Sequence, residues 1–228
     1  MKNIVIAGGS GGIGLELTQR LLPKYNIHVL ARNRRDLPQA PTIHFHPFDF
    51  LSDQALPVID GELDALVYAP GSINLKPFRS FKMQDYQSDM EINFFGAVRF
   101  VQHYLPQLNK QRAAIVFFST VAVDSGMAFH TSVAAAKGAL EAFSRSLAAE
   151  LAPAVRVNCI APSLTKTPLA EKLVANEARL KAAEDRHPLK RIGQPSEIAS
   201  CAEWLISDDA NFITAQTITI DGGISNIK

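Results

Sequence analysis

One alternation constrains what this chain can fold into. Short apolar, β-branched runs stand at Asn3–Ala7, Ile27–Ala31, Ile43–His46, Ala65–Tyr68, Ala113–Ser119, Val155–Ile160 and Thr217–Ile220. Between them lie longer stretches of helical pattern at Gly12–Leu22, Asp53–Ile59, Tyr86–Asn109, Thr131–Leu151, Leu169–Arg186 and Pro195–Leu205. Several of the short runs are apolar throughout, the pattern of strands covered on both faces. Strand–helix–strand repetition calls for an α/β architecture, a doubly wound parallel sheet with crossover helices on both faces. No linker, repeat or low-complexity tract interrupts the pattern, so residues 1–228 read as a single domain.

Composition narrows the function classes. Lys and Arg number 23 against 22 Asp and Glu, a net charge of +1, which speaks against a nucleic-acid surface with its clustered basic stripe. Two cysteines far apart, Cys159 and Cys201, give neither a disulfide framework nor a cysteine metal site, and no metal is expected. The first apolar run stops at Gly8, too short for a signal-peptide core, and nothing is long enough to span a membrane. The expected setting is cytoplasmic.

The segment Ala7-Gly8-Gly9-Ser10-Gly11-Gly12-Ile13-Gly14 joins the first strand to the first helix. Glycines there allow a tight turn and let backbone approach a pyrophosphate, and the helix N-terminus offers free N–H groups. In that context the loop predicts a dinucleotide-binding Rossmann fold. The second strand ends in Ala31-Arg32, where an acid would favour the ribose 2′-hydroxyl of NAD. Arg32 instead suits a 2′-phosphate, so NADP is expected over NAD. Arg34 and Arg35 follow and are expected to help, although one of three neighbouring cations usually points to water.

These residues closely resemble the short-chain dehydrogenase/reductase family, and the resemblance runs over essentially the whole chain. Its glycine loop matches Gly8, Gly12 and Gly14; its Asp-hydrophobic pair matches Asp49-Phe50. Its N-N-A-G motif survives weakly as Tyr68-Ala69-Pro70-Gly71, and its active-site asparagine matches Asn93. The segment Arg156–Ser163 followed by Thr167 matches the family's R-V-N-x-I-x-P-G-x-x-x-T. The resemblance implies that Ser10, Ile13, Ala69, Gly71, Asn93 and Lys137 contact the cofactor along with the loop, and that Pro162, Leu164 and Thr167 cradle the nicotinamide. It also implies a substrate lid at about 167–188 and a homodimer or homotetramer built on the helices Tyr86–Asn109 and Thr131–Leu151. For the lid, Leu169, Leu173, Val174 and Leu180 give an apolar inner stripe.

The family's catalytic pair is a Tyr and a Lys four residues later, with a Ser hydroxyl from the end of the fifth strand. Lys137 is present, but the tyrosine position holds Val133, and none of Tyr25, Tyr68, Tyr86 and Tyr104 lies near it in sequence. The serine position maps to Thr120, with Ser119 one residue away. His130, three residues before Val133, is the stand-in proton donor to consider, with Ser132 as a helix cap or weaker acid. Three readings stay open. The first is an NADP(H)-dependent oxidoreductase of a small carbonyl or alcohol, with water or His130 in the proton relay. The others are a dehydratase or isomerase on the same fold, and an inactive dinucleotide-binding regulator.

Overall fold

Seven parallel strands form one sheet in the order β3-β2-β1-β4-β5-β6-β7 in the computed structural model, which describes residues 1–22 and 24–227. They are β1 (Lys2–Ala7), β2 (Tyr25–Ala31), β3 (Ile43–Pro47), β4 (Ala65–Tyr68), β5 (Ala113–Phe118), β6 (Val155–Pro162) and β7 (Thr217–Ile220). The order reverses between β1 and β4, which opens a crevice at the carboxyl ends of those strands. Alternate residues of β1 feed two cores. Ile4 and Ile6 pack under α1 (Gly12–Leu21) and α7 (Pro195–Ile206), with Leu17, Leu21, Ile198 and Leu205. Val5 and Ala7 face the other side, where Phe100, Tyr104, Leu140 and Leu147 arrive from two further helices.

Of those two helices, one keeps the bounds expected from sequence and the other does not. The segment expected over Thr131–Leu151 is one unbroken helix with those bounds. The segment expected over Tyr86–Asn109 starts earlier and is interrupted: α2 (Met83–Met90), a π-turn at Glu91–Phe95, α3 (Gly96–Tyr104) and a 3-10 turn at Leu105–Gln107. Its early start follows from Asp85, whose side chain accepts the Lys82 N–H at 2.9 Å and satisfies a free helix-end donor. Next in order come a single helical turn, α4 (Ala122–Ser125), and the long helix α5 (Thr131–Leu151).

The helix expected at Asp53–Ile59 is absent. That stretch runs extended, because Pro57 cannot continue a helix and the long neighbour takes the freed carbonyls. Tyr104 donates to the Pro57 oxygen at 2.7 Å and Gln107 to that of Ile59 at 2.5 Å. No helix stands in the β2–β3 or β3–β4 connection. At that edge of the sheet three imidazoles stack instead, His28 on His44 and on His46, with centroids 4.8 and 5.3 Å apart. Burial and the two neighbouring rings push His28 down to about 4.

Candidate functional site

The loop after β1 has the geometry its glycines require. Gly8 (φ +74°) and Gly12 (φ +52°) adopt the left-handed conformation that disfavours a Cβ. At Gly14 a Cβ would fall far inside 3.0 Å of the Gly8 carbonyl oxygen, so loop and helix lie in direct contact. The Thr18 hydroxyl, within 3.0 Å of the Gly9 and 2.9 Å of the Gly14 carbonyl oxygens, ties the turn to α1. Gly11 caps α1 without a side-chain hydrogen bond, leaving first-turn N–H groups and the positive dipole end for an anion. Ser10 is buried and Ile13 half-buried in the same turn.

Distant segments converge on this loop. A Cβ on Gly8 would stand 3.1 Å from the Pro70 nitrogen and 3.2 Å from the Ala69 carbonyl carbon. One on Gly12 would stand 3.3 Å from Thr167. Arg32 is exposed, Arg34 donates to the Pro38 carbonyl at 3.2 Å, and Arg35 turns back over the loop. Its guanidinium nitrogen is 3.2 Å from the Cβ position of Gly11. Sequence reading put Arg32 first; Arg35, at a positive φ of 47°, is the one whose guanidinium lies over the glycines. Asp49 uses one carboxylate oxygen to accept the Leu51 N–H at 3.0 Å. The Phe50 ring lies in the core, edge-on to Phe48 and Tyr68, which leaves only the backbone of that residue for a ligand.

Behind the loop, Tyr68 builds the kink that sets Asn93. The π-turn sends the Gly96 N–H to the Glu91 carbonyl, which strands the Ile92 carbonyl from its α-helical partner. The Tyr68 hydroxyl donates to it at 2.8 Å. A Cβ on Gly96 would lie far inside 3.0 Å of that hydroxyl oxygen, so the phenol fits only beside a glycine. Asn93, fully buried on the π-turn, gives its two amide N–H groups to the Ser72 hydroxyl (2.8 Å) and the Asp89 carbonyl (2.9 Å). Its carbonyl oxygen accepts the Ser72 N–H at 3.3 Å.

Val133, Lys137 and Glu141 follow at four-residue steps along the buried face of α5. The Lys137 amine donates to the Phe118 carbonyl at the end of β5 at 2.7 Å, and burial holds its pKa down to about 8. A Cβ on Gly71 would be 3.1 Å from the Asn93 side-chain oxygen and 3.4 Å from the Lys137 nitrogen, so the three residues meet. Ser119 donates its hydroxyl proton to the buried Glu141 carboxylate, whose pKa burial raises. Thr120 only accepts, from the Ala122 N–H at 3.3 Å, so its own proton stays available. His130 is half-buried at the N-cap of α5 with Nδ1 2.7 Å from the Ala128 oxygen. Ser132, read from sequence as a possible cap, is instead 1% exposed with no hydrogen-bond partner. Burial drives the Cys159 thiol up to about 12, so it offers no nucleophile here.

Against known proteins, the family model described as enoyl-(acyl carrier protein) reductase matches residues 52–225. A tropinone reductase homologue of Arabidopsis thaliana is 30% identical, with 98% of this chain and 91% of that protein covered. The 3-oxoacyl-[acyl-carrier-protein] reductase of Thermotoga maritima is 30% identical over 98% of this chain and 97% of its own length. This chain is a short-chain dehydrogenase/reductase. The chain superposes on a short-chain dehydrogenase/reductase of Brucella melitensis with a TM-score of 0.88 at 29% identity, covering 98% of this chain and 96% of the other. The family is one of NAD(P)(H)-dependent oxidoreductases, and the crevice described above is where this member holds the glycine loop, Asn93 and Lys137 together.

Over this short-chain dehydrogenase/reductase crevice lies the segment after β6. Pro162 and Leu164 are half-buried, and the Leu164 and Gly193 backbones are joined at 3.0 Å. The helix expected over Leu169–Arg186 is two pieces, a 3-10 stretch Pro168–Val174 and α6 (Glu177–Arg186). The second is started by Asn176, whose side chain accepts the Arg179 N–H. The expected apolar stripe is corrected: Leu169 is exposed, Leu173, Val174 and Leu180 are half-buried, and Ala170 and Ala183 are the buried contacts. Sequence reading also missed His187. Buried at the end of α6, its ring joins the Ala183 carbonyl (2.7 Å) to the Ser163 hydroxyl (3.0 Å), fastening this segment to the end of β6. Among the described residues no helix is long and apolar enough to cross a membrane.

Proposed function

We propose that this protein is an NADP(H)-dependent reductase or dehydrogenase of a small carbonyl or alcohol, working with an altered proton relay because Val133 occupies the position of the family's tyrosine. The observation that carries the reading is the buried Lys137 amine at the bottom of a crevice that begins with the uncapped, glycine-lined N-terminus of α1. The residues fit a dinucleotide: the Gly8 and Gly12 cradle has Thr167 and Ala69-Pro70 at the distance of a missing Cβ. First-turn N–H groups of α1 hold the pyrophosphate, with Ser10 and Ile13 lining the turn. Arg32 and Arg35 would take the 2′-phosphate, and Asp49 would hold the adenine. Asn93, Gly71 and Lys137 would hold the ribose end, and Pro162, Leu164 and Thr167 would contact the nicotinamide. When bound, the nicotinamide supplies or receives the hydride.

Val133 is 5% exposed and carries no transferable proton, so the chain must move the substrate's proton otherwise. Thr120 donates its free hydroxyl hydrogen to the substrate oxygen and orients it. Lys137, held near 8, is mostly protonated at neutral pH yet a far better acid than an exposed lysine. A water in the space a phenol would take gives the substrate oxygen its proton while Thr120 only hydrogen-bonds that oxygen; Lys137 returns a proton to the water and regains its own from solvent. His130, as the imidazolium, is the competing donor through Nε2, its Nδ1–H being given to the Ala128 carbonyl. Acting as one unit over residues 1–228, with 167–188 as lid, the protein assembles as a cytoplasmic homodimer or homotetramer through α2–α3 and α5.

The test is a panel of carbonyls and alcohols assayed with NADPH against wild type, Val133→Tyr and His130→Ala. Turnover by wild type that rises about 10²–10⁴-fold in Val133→Tyr supports a reductase site short of its acid. Turnover abolished in His130→Ala moves the donor from the Lys137–water pair to the imidazole. No turnover in any of the three proteins refutes the redox reading.

A further inference from the structure

The ends of β6 and α6 bring together two side chains that hydride transfer does not need. Ser163 stands where the motif R-V-N-x-I-x-P-G-x-x-x-T has its glycine. Its hydroxyl oxygen is 3.0 Å from Nε2 of His187, whose Nδ1 is 2.7 Å from the Ala183 carbonyl oxygen. A carbonyl only accepts, so Nδ1 carries the ring proton of the neutral imidazole. Nε2 is then a lone pair, and the hydrogen between the two side chains belongs to Ser163. The ring is buried and fixed in that tautomer, while Ser163 is half-buried. A hydroxyl that donates to an imidazole oriented by a third group is the arrangement of an activated nucleophile.

The surroundings favour the charge that this ring gains when it accepts a proton. His187 is the C-cap of α6, at the negative end of the helix dipole. The Asp221 carboxylate, held by the Gly223 and Ser225 N–H groups at 2.8 and 2.9 Å, lies within Coulombic reach of it. Donors for a developing oxyanion stand alongside. The Ser163 N–H is spent on the Ile220 carbonyl at 3.2 Å, but the next two, of Leu164 and Thr165, are bonded to nothing among the described residues. The N–H that follows the nucleophile is a recurrent oxyanion donor.

We propose that Ser163 and His187 form a nucleophile–base pair that hydrolyses carboxylic esters. Ser163 Oγ attacks the ester carbonyl carbon, the carbonyl electron pair moves to its oxygen beside the Leu164 and Thr165 N–H groups, and the hydroxyl proton passes to Nε2. As the carbonyl re-forms, the bond to the alcohol oxygen breaks and Nε2–H protonates that oxygen. Water then attacks the acylated Ser163 with Nε2 as base, which releases the carboxylic acid and returns the hydroxyl its proton. The Ala183 carbonyl orients the imidazole but, being neutral, stabilises the imidazolium less than a carboxylate does. That suits an ester, whose alcohol leaves readily, over an amide. No step involves Lys137 or a dinucleotide, so this activity stands apart from the redox reading.

The experiment treats the protein, without coenzyme, with a fluorophosphonate, which phosphonylates serines activated in this way, and locates the adduct by peptide mass spectrometry. Hydrolysis of p-nitrophenyl acetate is followed alongside. Wild type, Ser163→Ala and His187→Gln are compared, each checked for folding by thermal unfolding. The label is expected on Ser163 in wild type, absent from Ser163→Ala, and formed at least about 10²-fold more slowly in His187→Gln, with ester hydrolysis falling in step. Two results overturn the proposal: no label on Ser163 in folded wild type, or labelling of folded His187→Gln at the wild-type rate. Should His187→Gln not fold, Ser163→Ala decides, since it only removes a hydroxyl where the family carries glycine. Ester hydrolysis equal to wild type in that variant overturns the proposal, and its loss supports it. Either result can occur whether or not the carbonyl panel shows turnover, so the two ideas fail separately.

Discussion

Alanine at Gly96 would put a methyl group where the Tyr68 hydroxyl already sits. The new Cβ lies far inside 3.0 Å of the phenol oxygen and 3.2 Å from the ring carbon that bears it. Tyr68 is 1% exposed, packed against Phe50 and Phe100, and has no room to retreat. Overpacking of this kind costs roughly 1–3 kcal/mol, and losing the bond to the Ile92 carbonyl adds about 1 kcal/mol. Against this, alanine is favoured over glycine inside a helix by about 1 kcal/mol. The net expectation is a loss of roughly 2 kcal/mol, or about 4–8 °C in Tm for a chain of this size. The decisive comparison is a double-mutant cycle with Tyr68→Phe, which removes the colliding oxygen and keeps the ring. Gly96→Ala should then cost close to nothing, a coupling of at least about 1 kcal/mol by urea and thermal unfolding. An equal cost of Gly96→Ala in both backgrounds would refute the account of the π-turn as a phenol-shaped kink.

Two further expectations concern charge. His28 has its folded-state pKa depressed to about 4, so the unfolded chain takes up the proton first as pH falls below about 6.5. The stability this ring contributes is whole above pH 6.5 and lost as pH drops toward 4. The full shift is worth about 3.4 kcal/mol, and about 2 kcal/mol after discounting for the half-open sheet edge. Urea unfolding between pH 7 and 4.5 should therefore show a shallower decline in His28→Gln; parallel curves would rule the histidine out as the source. At the nucleotide, Arg35→Ala and Arg32→Ala should each weaken NADPH binding about 10–100-fold and leave NADH unchanged. Tighter NADH than NADPH binding by the wild type would remove the 2′-phosphate argument.

How much of this was legible depended on whether the signal was local. The seven strands, the order of motifs and the bounds of α5 followed from short apolar runs and one alanine-rich amphipathic stretch, patterns set by near neighbours. The Asp53–Ile59 helix failed because its composition allowed a turn of helix while Pro57 and the side chains of Tyr104 and Gln107, some 47 residues away, preferred it extended. The π-turn had no sequence signal of its own: it depends on a phenol from β4 meeting a glycine on another element. At the site, Gly8, Gly12, Gly14, Asn93 and Lys137 were named from motif positions. Ser72, Asp89 and His187 were missed because their partners are far away in sequence, and Arg35 was named only as a helper to Arg32. Choosing between Ser119 and Thr120 likewise needed Glu141, which takes one of the two protons.

The contact between Gly14 and the Gly8 carbonyl has a thermodynamic consequence for how this protein meets its nucleotide. A turn braced by its own helix, with the Thr18 hydroxyl set against the Gly9 carbonyl, has already given up its conformational freedom when the chain folds. Little ordering is then left for the encounter, so association should be quick and its entropy governed by released water and ions rather than by a stiffening loop. Whatever slow step the catalytic cycle contains should lie elsewhere, where His187 fastens the segment over the crevice to Ser163.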